Sequence, residues 1–148
     1  MLLFCLGGPN NERISLELNE ILDFPHRTSI EGGYDIICTL KIDVESYHVE
    51  YDKLMSATGA LYCFGKQLKE CYDTLKGQAF FGLTYENFFD FTVEMTIGGK
   101  AIVSGQFHQD YNSSNHLEFE FETNQSFFVE VIQSINDVKE IYGGYKGI

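Results

Sequence analysis

The sequence predicts an α+β fold: a two-layer domain in which an antiparallel β-sheet is packed on one face by two amphipathic α-helices. Three observations predict it. Apolar residues recur at every second position in several runs and at helical spacing in two longer ones, and a glycine pair stands where two strands must reverse. Each strand then has one apolar face and each helix one apolar stripe, and burying stripe against face leaves the reverse of the sheet in water.

The chain opens on "MLLFCLGG", which reads as an edge strand or start segment. In "RISLELNEIL", Ile14, Leu16 and Leu18 alternate with Ser15, Glu17 and Asn19, the pattern of a half-buried strand. "DFPHRTSIEGG" interrupts it with Pro25 and the Gly32-Gly33 pair. The next strand is "YDIICTLKIDVES", with Ile36, Cys38, Leu40, Ile42 and Val44 on one face and Ile37, Thr39, Lys41 and Asp43 on the other. "YHVEYD" either continues that strand after a bend or returns as its hairpin partner.

From about 56 to 76 the period changes to that of a helix. Leu61, Phe64, Leu68, Cys71, Tyr72 and Leu75 share one side, and Lys66, Lys69, Glu70 and Asp73 take the other. Gly77 stands in a C-cap position, and Gly65 inside the run implies close helix-to-sheet packing. Three strands follow, over about 88–97, 100–107 and from His116 onward. The first two meet across "IGGK", where Gly98 and Gly99 supply the positive φ angles of a hairpin turn. The last two are joined by the polar loop "HQDYNSSNH". A second helix begins near Ser126 as N-cap and runs to Tyr142 with Phe128, Val131, Ile132, Ile135, Val138 and Ile141 on its apolar side, before Gly143-Gly144 stops it. No repeat or linker divides the chain, so residues 1–148 read as a single domain.

Composition narrows the function. With 44% hydrophobic and 15% aromatic residues, 148 residues suffice for a packed core without staples. Ten basic against 22 acidic residues give a formal charge of -12. Such a balance repels nucleic-acid phosphates and anionic lipid and attracts basic partners. Cys5, Cys38, Cys63 and Cys71 form no C-x-x-C pair and read as reduced core residues. The first residues lack the basic flank and long apolar region of a signal peptide, and nothing approaches transmembrane length. A cytoplasmic protein is expected.

Candidate chemistry is thin. His48, His108 and His116 are each followed two positions later by a carboxylate (Glu50, Asp110, Glu118), the spacing a metal ligand or a general base with its orienting acid would use on a strand. Solvated edge and loop positions explain the same pattern. His108 and His116 flank one loop, and with Asp110 they are the group a hydrolase would use. Glu118, Glu120 and Glu122 stand about 7 Å apart along a strand, within the range of inverting glycosidases, but without an aromatic sugar platform beside them. Cys63 and Cys71 fall in or beside the apolar stripe of the first helix, where burial disfavours a thiolate. "GGPNNE" and "IGGK" lack phosphate-loop spacing and are turns. No cofactor or metal is called for, and catalysis is not expected.

What remains is a recognition surface. The alternation places Glu118, Glu120, Glu122, Thr92, Glu94, Ser104, Gln106 and Asp43 on the reverse side of the sheet, with Glu45 at the margin of this group and Lys41 and Lys100 diluting the negative field only in part. Like charges on one strand face repel by a few tenths of a kcal/mol, a frustration that docking of a basic protein relieves. Glu118, Glu120, Glu122, Glu94 and Asp43 are therefore the candidate partner-binding residues.

The succession "LNEILDFP", "YDIICTLKIDV", the amphipathic helix, "YENFFDFTVEMTIGGKAIVSGQF" and "HLEFEFETNQSFFVEVIQSI" resembles the WapI-like immunity proteins of bacterial polymorphic toxin systems over residues 12–142. The strand-to-helix passage F-x-F-E-T-x-Q-S carries the likeness most closely. The chain departs from the pattern in having Ile37 and Cys38 where a Trp would follow "YD". The resemblance implies a cytosolic protein that binds and neutralises the toxin domain of a cognate secreted protein. Toxin domains that cut RNA tend to be basic, which gives the acidic face a use. An alternative reading is a small-molecule-binding domain with a pocket between the first helix and the sheet, beside Tyr62, Phe64 and Gly65. The oligomeric state is not written in the sequence.

Overall fold

The computed structural model of the protein describes residues 1–84, 86 and 88–148; Tyr85 and Asn87, within the "YENFF" stretch quoted above, lie outside the described residues. The order of elements is β1 (Leu2–Gly7), β2 (Arg13–Ile21), β3 (Asp35–Val44), β4 (Tyr47–Ala57), α1 (Thr58–Thr74), β5 (Gln78–Phe81), β6 (Phe89–Met95), β7 (Lys100–Phe107), β8 (Leu117–Asn124) and α2 (Phe128–Tyr142). The α+β class, the antiparallel pairing and both helices are as expected from the sequence. The strands, however, are divided between two four-stranded meanders, β1-β2-β3-β4 and β5-β6-β7-β8.

The division follows from how much apolar surface the strands carry. Two helical stripes cannot cover the inward faces of all these strands, so the sheets cover one another. Phe4 of β1 packs against Phe81 and Phe91 of the second sheet at ring-centroid distances of 5.6 and 6.1 Å, and Tyr51 of β4 against Phe107 of β7 at 5.5 Å. Phe64 of α1 joins the same cluster, 5.6 Å from Phe4 and 5.2 Å from Phe91. Phe4, Phe64 and Phe91, each fully buried, contribute about 1.5–3 kcal/mol apiece over their exposed state.

The helices close the flanks of the two sheets. α2 runs along β1, whose Leu3 and Phe4 point to opposite faces and are both fully buried. α1 runs along β5, and the Gln67 side chain accepts the Phe80 backbone N–H at 2.8 Å, satisfying an edge donor that would otherwise face outward. Among the described residues, no helix is long and apolar enough to cross a membrane.

Several local expectations hold and a few shift. "YHVEYD" is the hairpin partner of the preceding strand, with Val44 opposite Tyr47. Gly98 and Gly99 lie at φ 71° and 79° in the turn between β6 and β7. Helix α1 ends at Leu75 in the left-handed region, two residues before Gly77. The N-terminal cap before α2 is Asn124, whose side chain accepts the Ser126 N–H at 3.0 Å; Ser126 itself is inside the turn. Gly65 serves a close approach of α1 to α2, where a Cβ would stand 3.0 Å from Ile135 Cγ2, in place of the helix-to-sheet contact expected. Cys38 and Cys71 are buried as anticipated, but Cys63 is exposed on the outer side of α1.

Candidate functional site

The outer face of the second sheet is a lattice of three rows fixed by strand register. One row reads Gln78, Glu94, Ile102, Glu122; the next Phe80, Thr92, Ser104, Glu120; the third Asp90, Gln106, Glu118. These positions share a face because side chains alternate along each strand and the inward set, Phe91, Val93, Val103, Phe119 and Phe121, is buried. Glu94, Glu118, Glu120 and Glu122 are all exposed, and neither helix covers them.

No Lys, Arg or His lies within 4 Å of those four carboxylates among the described residues. The strand partners opposite the three β8 acids are Gln106, Ser104 and Ile102, none of which carries charge. Asp90 accepts from Gln106 Nε2 at 3.0 Å, and Gln106 Oε1 meets His116 Nε2 at 2.9 Å, forming a short polar chain at one end of the face. Phe80, 45% exposed, and half-buried Ile102 set apolar surface among the acids.

Asp43 does not belong to this lattice. It lies on the outer face of the first sheet, where Arg13 Nη2 meets its carboxylate at 3.2 Å and His48 Nδ1 at 2.5 Å. The hydrogen bond from His48, aided by Arg13, holds its carboxyl below the usual value of 3.8. On the same face Lys41 pairs with Glu50 at 3.8 Å. The two outer faces thus differ in part: Asp43 and Glu50 of the first sheet are paired, although its exposed Glu17, Glu20 and Asp52 have no cation within 4 Å among the described residues, whereas on the second sheet Glu94, Glu118, Glu120 and Glu122 all lack one. Alternation alone groups Asp43 with the β8 acids only if all strands share one sheet.

Phe80 and Gln78 escape sequence reading because β5 is four residues long, too short to display a period. Ile102 and Asp90 are legible from alternation in "KAIVSGQF" and "FDFTVEM", but a half-buried isoleucine beside an inward valine carries no signal by itself.

The histidines come together in part. His48, His108 and His116 all line a cleft of about 360 Å³ between the β3–β4 and β7–β8 connections, with Tyr47, Phe107, Gln109 and Asn115. The His108 and His116 rings meet edge to face at 5.7 Å, and His108 also lies 5.4 Å from Phe88 and 5.3 Å from Tyr111. Asp110 is not part of the lining and accepts the Asn112 N–H of its own loop at 2.9 Å. Among the described residues, no group of three or more His, Cys, Asp or Glu side chains is arranged to hold a metal ion. Of the thiols, burial pushes Cys38 up to about 12 and raises Cys71. Of the residues expected to line a pocket between helix and sheet, Phe64 is sealed in the core, while Tyr62 and Gly65 line a groove between α1 and α2.

A family model of immunity proteins, the WapI-like family, matches residues 5–143. The chain belongs to the WapI-like immunity protein family. Its match spans both sheets and both helices, from within β1 to the end of α2, so the acidic lattice lies wholly inside the family's region. A search of curated proteins returns no match. Among solved structures, a chain of the CdiA-CT/CdiI toxin and immunity complex from Enterobacter cloacae is similar at 11% identity and a TM-score of 0.47, over 84% of this chain and 99% of that one.

Proposed function

We propose that this WapI-like protein is a cytoplasmic immunity protein that neutralises a basic cognate toxin domain by covering it with the outer face of the second sheet, without catalysis of its own. The observation that carries the reading is the set of Glu94, Glu118, Glu120 and Glu122, all exposed and none within ion-pair reach of a cation among the described residues. On the first sheet Asp43 and Glu50 are paired with Arg13, His48 and Lys41, whereas these four carboxylates stand together on one face with no such partner among the described residues. A toxin that approaches phosphates presents cations in its cleft, and carboxylates about 7 Å apart along β8 stand where phosphates would stand. Phe80 and Ile102 supply apolar contact inside the charged field, as interface anchors do. Steering by the -12 charge raises encounter above the roughly 10⁵–10⁶ M⁻¹s⁻¹ of uncharged partners.

The test is co-expression with the cognate toxin domain. Replacing Glu94, Glu118, Glu120 and Glu122 together by Lys is expected to abolish growth protection and co-purification while leaving the folded state in place. With wild-type protein, the association rate is expected to fall steeply with ionic strength, by about tenfold or more as the Debye length shrinks from about 30 Å at 0.01 M to about 3 Å at 1 M. Full protection by the quadruple variant would remove this face from the mechanism.

A further inference from the structure

We propose that the groove between α1 and α2 binds a small organic carboxylate, a molecule joining an apolar body to one anionic head. The groove has a volume of about 300 Å³, at the lower end of the range occupied by small-molecule sites. Its apolar wall is Ile132 and Ile135 of α2 with the ring of Tyr62 from α1. The Gly65–Ile135 approach, too tight for an ordinary side chain at position 65, holds the helices in contact at its floor.

The aromatic part is held before any ligand arrives. Tyr62 donates its hydroxyl hydrogen to the Gly143 carbonyl at 2.6 Å, which pins the ring across the groove. Tyr145 meets that ring edge to face at 5.8 Å with an interplanar angle of 88°. A flat or aliphatic body between these walls would cost the protein little ordering.

The head group follows from charge. Lys66, Lys69 and Lys139 all line this groove, three of the ten basic residues in a chain of net charge -12. Lys69 is occupied by Asp73 at 2.6 Å. Lys66 and Lys139 have no acid within 4 Å among the described residues, and the Lys139 ammonium stands 5.9 Å from the centre of the Tyr62 ring, over the groove. Among the described residues that line the groove Glu70 is the one acid, and Asp73 is taken up by Lys69, so the local field favours an anion although the molecule as a whole repels one. The preference acts at short range, within the roughly 10 Å over which charges are felt at 0.1 M salt. The site is separate from the acidic lattice and does not depend on the toxin reading. A ligand there clamps together the two helices that cover β1 and β5.

Two probes test it, octanoate and 4-phenylbutanoate, each titrated into isotope-labelled protein and followed by NMR, with octanol as the uncharged control. At least one carboxylate is expected to produce saturable shifts confined to Tyr62, Gly65, Ile132, Ile135 and Tyr145 and a rise in Tm, with octanol weaker by about tenfold. Lys66→Gln combined with Lys139→Gln is expected to weaken binding by about tenfold, and Ile132→Gln to weaken both carboxylates and octanol. Shifts scattered over the surface, octanol binding as well as octanoate, affinity unchanged in the double lysine variant, or no saturable binding of either carboxylate overturns the proposal.

Discussion

Glu120 of β8 stands directly opposite Ser104 of β7 on the open side of the second sheet, with Glu118 and Glu122 two positions away on the same strand. The corresponding opportunity on the first sheet is used, since Lys41 faces Glu50 across β3 and β4. A cation at position 104 would relieve the repulsion at once. Ser104→Lys is therefore expected to stabilise the fold by about 0.2–1 kcal/mol, the range of a cross-strand ion pair, and to weaken toxin protection. Urea denaturation and co-expression measure the two effects. Raised stability with undiminished protection would mean that the β8 acids are merely solvated.

That opposition of effects locates what the sequence could and could not say. Alternation in "HLEFEFET" is enough to assign Glu118, Glu120 and Glu122 to one face, because period 2 is a local property of a strand. Which sheet a strand joins is a pairing decision made over long sequence separations, so alternation places Asp43 on an outward face correctly but not in its sheet: its neighbours are Arg13, thirty residues away, and His48 across a hairpin. Helix α1 was legible from its stripe, whereas the partner of Gly65 was not, since a missing Cβ states that something comes close without saying what. The "QAFF" strand fell below the length at which a period can be seen.

Asp43 gives a pH dependence whose sign can be worked out. Its carboxyl is held below the usual 3.8 in the folded protein, chiefly by the hydrogen bond with His48 and then by Arg13. A depressed folded value means the stabilisation is complete above about pH 4 and is lost as pH falls through the lowered value, where Asp43 takes up a proton in both states. The pairs are partly exposed, so Asp43→Asn is expected to cost no more than about 1 kcal/mol near neutrality. Denaturation of the two proteins as a function of pH should show the gap closing in strong acid. A gap that widens on acidification contradicts the pairing.

Thiol labelling separates the cysteines by environment. Cys63 is exposed, while Cys38 and Cys71 are buried and Cys5 is half-buried. Reactivity follows thiolate content and access, and burial raises Cys38 from 9.0 to about 12. Alkylation at mildly alkaline pH, read by mass spectrometry, is expected to modify Cys63 rapidly and Cys38 and Cys71 only on the timescale of unfolding. Early modification of Cys38 would show that the interior between the sheets opens readily.

The contact between Gly65 and Ile135 sets two effects against each other. Within α1, exchanging Gly for a residue with a side chain recovers part of the roughly 1 kcal/mol that glycine costs a helix, less for a β-branched residue. Against this, a Cβ would stand 3.0 Å from Ile135 Cγ2 and 3.3 Å from Cδ1, and both further methyls of a valine would have to be accommodated at a buried crossing. Overpacking of that kind costs about 1–3 kcal/mol, so it wins, and Gly65→Val is expected to destabilise the fold by about 1–2 kcal/mol. Ile135→Ala alone leaves a cavity at a buried site and costs about 2–5 kcal/mol. In the double variant the valine occupies space the isoleucine vacated, so the two losses should add to less than their sum by at least about 1 kcal/mol. Additivity, measured by chemical denaturation of the four proteins, would mean that α1 and α2 do not meet at this point in solution, and the groove they form would lose its floor.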